Sequence, residues 1–178
     1  MLFLKEQISS LISCGVIMPP DKRYLKWCAK QKNGIKIVSE SINLQKAYLT
    51  KSKNAIKSME LNAKAGINDW TISTSYYARY DAVYALFSRI GIKCEMHDCT
   101  IALFKHLFSG TIASSFIQDL EKSKDDRIDA QYYTGIIKIN SKKVIADTKN
   151  FVLEIEKIID NLNKSDTAIL QTRLTSAL

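Results

Sequence analysis

Between Gly66 and Gly91 the chain repeats apolar side chains at steps of three and four residues, and no proline or glycine interrupts the run. This spacing predicts an α-helix with one continuous apolar stripe. Further tyrosines and alanines widen the stripe, so we expect this helix to be covered on most sides and to form the centre of the domain. The stripe consists of Ile72, Tyr76, Tyr80, Val83, Phe87 and Ile90.

The rest of the chain also favours helices. Its two prolines are adjacent, at Pro19 and Pro20, and no convincing strand pattern is present; residues 35–38 are predicted to be a short extended link. Predicted helices span residues 2–13, 21–33, 41–65, 68–90, 98–107, 112–133 and 141–162. We therefore predict an all-α fold, an up-and-down antiparallel helical bundle at 39–163. It has a basic N-terminal helical extension at 1–38 and a C-terminal tail at 164–178, frayed or loosely helical.

Positive charge is concentrated in the first third of the chain. Residues 1–60 hold 11 Lys or Arg and 4 Asp or Glu, whereas the remainder holds 15 and 14. The asymmetry indicates a polyanion partner such as nucleic acid, although a lysine-rich solvated surface gives the same pattern. The densest cluster lies on the helix at 21–33, with Tyr24, Leu25, Trp27 and Cys28 predicted to face inward. Its candidate RNA- or nucleotide-binding residues are Lys22, Arg23, Lys26, Lys30 and Lys32.

Arg127 occupies an unusual position on the helix predicted at 112–133. At about 100° per residue it falls within roughly 40° of apolar Phe116 and Leu120, and of Gln131. Burying an unpaired cation costs several kcal/mol, so this placement needs a reason. Either Arg127 pairs with a carboxylate or serves a subunit contact, or it is an active or nucleotide-binding arginine. Tyr132 and Tyr133 follow it five and six residues later.

The cysteines and histidines indicate no metal site. We expect no signal peptide, so the four cysteines are predicted to be reduced thiols in a cytoplasmic protein. No apolar run approaches the roughly 20 residues of a membrane span. The spacing of four candidate ligands matches no standard zinc pattern, so neither a metal nor a cofactor is predicted. Those four are Cys94, His97, Cys99 and His106.

Several segments together resemble a known family. Residues 70–80 (WTISTSYYARY), 85–87 (ALF) and 91–98 (GIKCEMHD) resemble the core of archaeal and bacterial HEPN-domain proteins. Residues 127–133 (RIDAQYY) are similar to a downstream element of that family, and 25–35 to a subgroup with an N-terminal extension. The resemblance covers roughly residues 25–160, and its specificity lies in the order and spacing of the motifs.

The family resemblance implies a helical bundle that usually dimerises. Many members are toxins that cut RNA and are encoded beside a small nucleotidyltransferase antitoxin, whereas others bind nucleotides or RNA. Their ribonuclease motif is an arginine followed after four to six residues by histidine. Arg127 matches the arginine, but tyrosines stand at 132 and 133, and His97 does not complete the motif in sequence. By resemblance, Tyr132 or Tyr133 is a candidate acceptor of AMP from the nucleotidyltransferase.

Chemistry ranks the functions that this pattern allows. Metal-free RNA cleavage needs a base for the 2′-hydroxyl and a cation for the phosphorane, and a tyrosine with a pKa of about 10 is a weak base. We therefore predict first a module that binds RNA or nucleotide at a dimer groove lined by Arg127, Gln131, Tyr132 and Tyr133. His97 is a further candidate binding residue. The alternatives are a metal-independent endoribonuclease using Arg127 with a tyrosine or His97, and a non-catalytic helical partner of a nucleotidyltransferase.

Overall fold

The computed structural model describes residues 22–135 and 137–178, and this part of the chain contains seven helices and one two-stranded sheet. The helix predicted at 2–13, and the start of the next at Asp21, lie outside the described residues. The all-α prediction is confirmed. The elements are α1 Lys22–Lys30, β1 Lys36–Ile37, α2 Ile42–Lys64, α3 Asn68–Arg89, β2 Ile92–Lys93, α4 His97–Phe108, α5 Ser114–Tyr132, α6 Ser141–Asn161 and α7 Lys164–Thr175.

The long helices α2 and α3 form an antiparallel pair. The predicted N-cap is present, because the Ser41 hydroxyl accepts a hydrogen bond from the Leu44 backbone N–H at 3.2 Å. Gly66 lies at φ +73° in the connection between the helices. This connection is so short that the two helices must run antiparallel. Across the pair, the buried Ser52 hydroxyl donates to the Ala78 carbonyl at 2.7 Å.

Helix α3 is the centre of the bundle, as its stripe predicted. Its side chains are buried almost continuously from Thr71 to Ser88, and it contacts α2, α5 and α6. Helix α4 closes the core with aromatic side chains, since Phe104 packs against Phe108 and Phe151. The aromatic and charged side chains of α3 that contact α4 and α5 therefore form the centre of the site described below.

The first described helix is fixed to the bundle by burial and by a covalent bond. Leu25 and Cys28 on α1 are fully buried, and Cys28 forms a disulfide with Cys99 of α4. The prediction of four reduced thiols is therefore wrong for this pair; Cys94 is a buried free thiol, and Cys14 lies outside the described residues. The inward orientation predicted for Tyr24 and Trp27 is also wrong, because these side chains are 37% and 47% exposed.

A small sheet forms where a link was predicted. Lys36 and Ile37 pair antiparallel with Lys93 and Ile92, respectively, and join the extension to the turn after α3. The prediction that the chain has no strand is therefore wrong for these two short segments. So short a pair leaves too little sequence for an alternating pattern to be visible.

The C-terminal residues form a packed helix and not a frayed tail. Asn163 and Asp166 make a capping box at the start of α7, and Leu170 and Leu174 are buried. The Gln171 side-chain amide donates to the Ile90 carbonyl at 2.8 Å, which ties α7 to the end of α3. The division of the chain at residues 38 and 163 stays a prediction.

Gly91→Ala is expected to destabilise the protein more than Gly66→Ala. Both glycines have positive φ, but a Cβ at Gly91 meets the Val38 carbonyl oxygen at 2.6 Å, whereas at Gly66 it meets nothing within 4 Å. We expect losses of about 3 and about 1 kcal/mol in the free energy of unfolding. Urea denaturation measures the free energy of unfolding of both variants. Equal losses would show that the close approach of the Val38 carbonyl oxygen to a Cβ at position 91 does not add to the cost of the substitution.

Candidate functional site

Arg127 lies half-buried on α5 and rests on two aromatic rings of α3. Its guanidinium carbon is 5.4 Å from the centroid of the Tyr76 ring and 6.0 Å from that of Tyr77. Its Nη1 donates to the Gln131 side-chain oxygen at 2.9 Å, and its Nε is buried without a hydrogen-bond partner. No carboxylate in the described part of the chain lies within 4.0 Å of it. The arginine is thus held by rings and an amide, and its charge is not neutralised by an ion pair.

His97 contacts the same tyrosine, Tyr76, at its hydroxyl. It is the first residue of α4, and its Nδ1 is hydrogen-bonded to the hydroxyl of the fully buried Tyr76. Its ring also stacks on Tyr80, with the centroids 4.3 Å apart. Tyr76 therefore carries the cation of Arg127 over its face and the imidazole of His97 at its hydroxyl. We define Arg127, Tyr76 and His97 as the Arg127 cluster.

The environment keeps the two ring systems of this cluster neutral. Burial lowers the pKa of His97, the positive charges of Arg127 and Lys124 lower it further, and Asp98 opposes them. Burial raises the pKa of the Tyr76 hydroxyl, with nearby Tyr80 adding to the effect. Near neutral pH His97 is therefore an uncharged imidazole beside a protonated phenol, and Arg127 supplies the positive charge.

Sequence spacing did not predict that His97 approaches Arg127. The two residues are far apart along the chain and meet because Gly91 and β2 reverse the chain after α3, which places the start of α4 beside α5. The signal was present in residues 91–98 (GIKCEMHD), where a histidine follows a turn at the end of the central helix. Counting residues from an arginine cannot register such a contact.

Helix α1 borders the Arg127 cluster. Tyr24 lines a cleft together with Asp98 and Lys124, and Lys124 Nζ lies 2.5 Å from the Asp98 carboxylate. The Tyr24 and Trp27 rings stack on each other with centroids 5.7 Å apart and an interplanar angle of 16°. The predicted basic residues are exposed on and just after this helix: Lys22, Arg23, Lys26, Lys30 and Lys32. The extension thus presents exposed aromatic faces among cations at the edge of the cluster.

Tyr132 and Tyr133 lie at the end of α5 with exposed fractions of 73% and 68%. In the described part of the chain neither makes a ring contact or hydrogen bond with Arg127. Gln131 is the only one of the three residues at 131–133 that the structure joins to Arg127. The roles assigned to the two tyrosines stay predictions.

The residues weighed as metal ligands are not assembled. Cys99 forms a disulfide with Cys28, and the Nδ1 of His97 is hydrogen-bonded to the Tyr76 hydroxyl. Within residues 22–135 and 137–178 no group of three or more His, Cys, Asp or Glu side chains is arranged to hold a metal ion.

The fold and the cluster define a helical-bundle protein in which an arginine of α5 and a histidine of α4 meet at a tyrosine of the central helix α3. A family model for the HEPN domain matches residues 45–165, which is well over half of the chain. The chain belongs to the HEPN family, and the family resemblance seen in the sequence is confirmed. A comparison with curated proteins finds no match. No helix of the described residues is long and apolar enough to cross a membrane.

Arg127→Gln is expected to raise the pKa of His97 toward its ordinary value. Burial and the positive charge of Arg127 both disfavour the imidazolium, and the substitution removes the second effect. Asp98→Asn is expected to shift the pKa in the opposite direction, because Asp98 favours the imidazolium. The chain has two histidines, so NMR titration with His97→Gln for assignment resolves the signal. An unchanged pKa in Arg127→Gln would contradict the electrostatic contact.

Proposed function

We propose that the protein is a HEPN module that binds RNA or a nucleotide through a phosphate at Arg127. The observation that carries this proposal is a half-buried guanidinium oriented by Gln131 and the Tyr76 ring, without a carboxylate partner in the described residues. A guanidinium held this way keeps N–H donors for a phosphate, and little rotamer freedom is lost when it binds. Neutral His97 adds a polar group beside it.

The side chains of helix α1 favour a polynucleotide as the ligand over a single phosphate ion. Its exposed lysines supply the sequence-independent attraction that dominates binding to nucleic acid. The stacked Tyr24 and Trp27 rings leave aromatic surface on which an unpaired base can stack. Since α1 borders the Arg127 cluster, one strand can contact both.

The partners implied by the family stay predictions. The homodimer and the nucleotidyltransferase partner, with a toxin–antitoxin role, rest on the family resemblance alone. Three exposed aromatic residues lie where the start of α3 meets the end of α5, and this end is where we expect a protein contact. They are Trp70, Tyr132 and Tyr133. Their exposure also supports access by an enzyme that transfers AMP to a tyrosine.

Arg127→Gln is expected to weaken binding of a short single-stranded RNA by at least about tenfold, because a hydrogen bond to a charged group contributes roughly 1.5–3 kcal/mol. Lys57→Gln is the matched control, since it removes the same charge from an exposed position on α2. Fluorescence anisotropy at fixed salt measures the dissociation constants. Equal weakening by both substitutions would reduce the role of Arg127 to net charge.

The salt dependence tests α1 in the same assay. The slope of log K against log salt concentration is negative. If Lys26 and Lys30 contact phosphates, replacing each of them by Gln makes this slope shallower by about 0.7. Trp27→Ala is expected to weaken binding without changing this slope, because stacking releases no counterions. An unchanged slope in the double lysine variant would place the RNA elsewhere.

A second function is favoured by the hydrogen bond between His97 and Tyr76 within the Arg127 cluster. When the imidazole proton lies on Nδ1 and is donated to the Tyr76 oxygen, Nε2 is free to take the proton of a ribose 2′-hydroxyl. The resulting oxygen attacks the adjacent phosphorus, and Arg127 stabilises the phosphorane. The bond from phosphorus to the 5′-oxygen then breaks as that oxygen takes the proton back from the His97 imidazolium, directly or through a water, which returns His97 to its neutral form. The products would be a 2′,3′-cyclic phosphate and a 5′-hydroxyl. This arrangement supplies the histidine that the sequence motif lacks.

Cleavage is tested by incubating RNA with the wild type, His97→Gln and Arg127→Gln in the presence of EDTA. If the second function holds, only the wild type forms cyclic phosphate ends, and its rate rises with pH through the lowered pKa of His97, because the neutral form is the base. RNA that stays intact with a large excess of wild-type protein would leave binding as the function.

A further inference from the structure

A second arginine, Arg79 on α3, lies beneath a cavity that is separate from the Arg127 cluster. The cavity has a volume of about 550 Å³ and is bounded by α3, α5, residues 137–140 and the start of α6. The side chains of α5 that line the cavity, among them Asp119, Asp126 and Asp129, centre about 100° around the helix axis from Arg127, which lies over the Tyr76 ring. The cavity therefore shares no side chain with the Arg127 cluster.

Arg79 lines this cavity and is almost completely buried, with 5% of its surface exposed. Its Nη1 donates to the Ser75 carbonyl at 3.3 Å, and its Nε is buried without a hydrogen-bond partner. In the described part of the chain no carboxylate lies within 4.0 Å of its guanidinium. A buried arginine in this state costs several kcal/mol unless an anion or another acceptor reaches it.

The walls of the cavity carry both charge types, but most of the lysines are already paired. Lys122 contacts Asp126 at 2.6 Å, and Lys143 contacts Asp147 at 2.7 Å. Asp119 and Asp129 line the cavity without an ion pair in the described residues. The charged groups left for a ligand are thus Arg79 in the floor, the exposed Lys138, and the two carboxylates Asp119 and Asp129 in the wall.

We propose that this cavity binds a small zwitterion, with its anionic group on Arg79 and its ammonium group facing Asp119 and Asp129. The Nε of Arg79 has no hydrogen-bond partner, and the Nε edge of a guanidinium is one that carboxylates and phosphates bind bidentately. The volume falls within the range of roughly 300–1,000 Å³ found for small-molecule sites. The anionic group is a carboxylate, as in an amino acid, or a phosphate, as in an aminoalkyl phosphate.

Four probes separate these sources: acetate and glycine for the carboxylate, and inorganic phosphate and phosphoethanolamine for the phosphate. Calorimetric titration of the full chain is expected to show saturable binding of at least one zwitterion, tighter than the matching anion without the ammonium group. If glycine binds more tightly than phosphoethanolamine, the anionic group is a carboxylate, and if phosphoethanolamine binds more tightly, it is a phosphate. Lack of saturable binding by all four probes, or equal binding of zwitterion and bare anion, would overturn the proposal.

Arg79→Gln is expected to weaken the tighter zwitterion by at least about tenfold. Arg127→Gln is the matched control, since Arg127 does not line the cavity and its removal should leave this affinity unchanged. Asp119→Asn with Asp129→Asn should abolish the preference for the zwitterion over the bare anion. Loss of affinity in Arg127→Gln and not in Arg79→Gln would contradict the site.

A cavity-filling variant covers the case in which Arg79→Gln fails to fold. Ala130 lines the cavity from α5, and Ala130→Leu occupies part of the volume while Arg79 is retained. Folded Ala130→Leu is expected to lose zwitterion binding and to keep the RNA affinity of the wild type. Undiminished zwitterion binding by this variant would show that the ligand lies elsewhere.

Discussion

The structure depends on the nearly complete burial of α3, because every polar side chain on that helix then needs a partner other than bulk water. Ser52 of α2 reaches a carbonyl of α3, and the Asp81 carboxylate, whose pKa burial raises, is met by the Lys51 ammonium at 3.2 Å. Tyr76 is met by His97. Arg79 has only one weak hydrogen bond, to the backbone of its own helix. These buried polar groups of α3 are therefore matched by neighbouring side chains except at Arg79, and that is where a ligand has space to bind.

Helix α5 gives two similar arginines different chemical surroundings. Arg127 projects from α5 onto the rings of Tyr76 and Tyr77. Its guanidinium is held by these rings and by Gln131, its Nε is buried, and its remaining N–H donors are left for a phosphate. Arg79 lies on α3 beneath the cavity, where burial lowers its pKa and the carboxylates of the cavity wall only partly offset this. The first site suits an extended polyanion at the surface. The second suits a ligand small enough to enter the cavity.

Local sequence pattern was sufficient for most helices and for Arg127 on the packed side of α5, but not for contacts that depend on chain reversal. Periodicity located α3, and Ser41 and Gly66 marked the ends of α2. The nine residues of α1 permit only a narrow buried stripe, so Leu25 and Cys28 fill it and Tyr24 and Trp27 remain outside. The Cys28–Cys99 bond spans 71 residues and follows from where α1 docks. Arg79 lies three residues after Tyr76 and four before Val83, a spacing that places a charge on the central apolar face.

The proton between Tyr76 and His97 ranks the two functions of the Arg127 cluster. A buried hydroxyl whose proton has no acceptor carries a desolvation cost, and within the described residues Nδ1 of His97 is the acceptor that the structure offers Tyr76. If the hydroxyl donates there, the imidazole proton lies on Nε2, where it is a donor to phosphate and not a base. Cleavage needs the opposite tautomer, in which the Tyr76 proton must find another acceptor, such as the substrate. The resting geometry therefore favours binding, and cleavage requires a substrate that accepts the tyrosine proton as it binds.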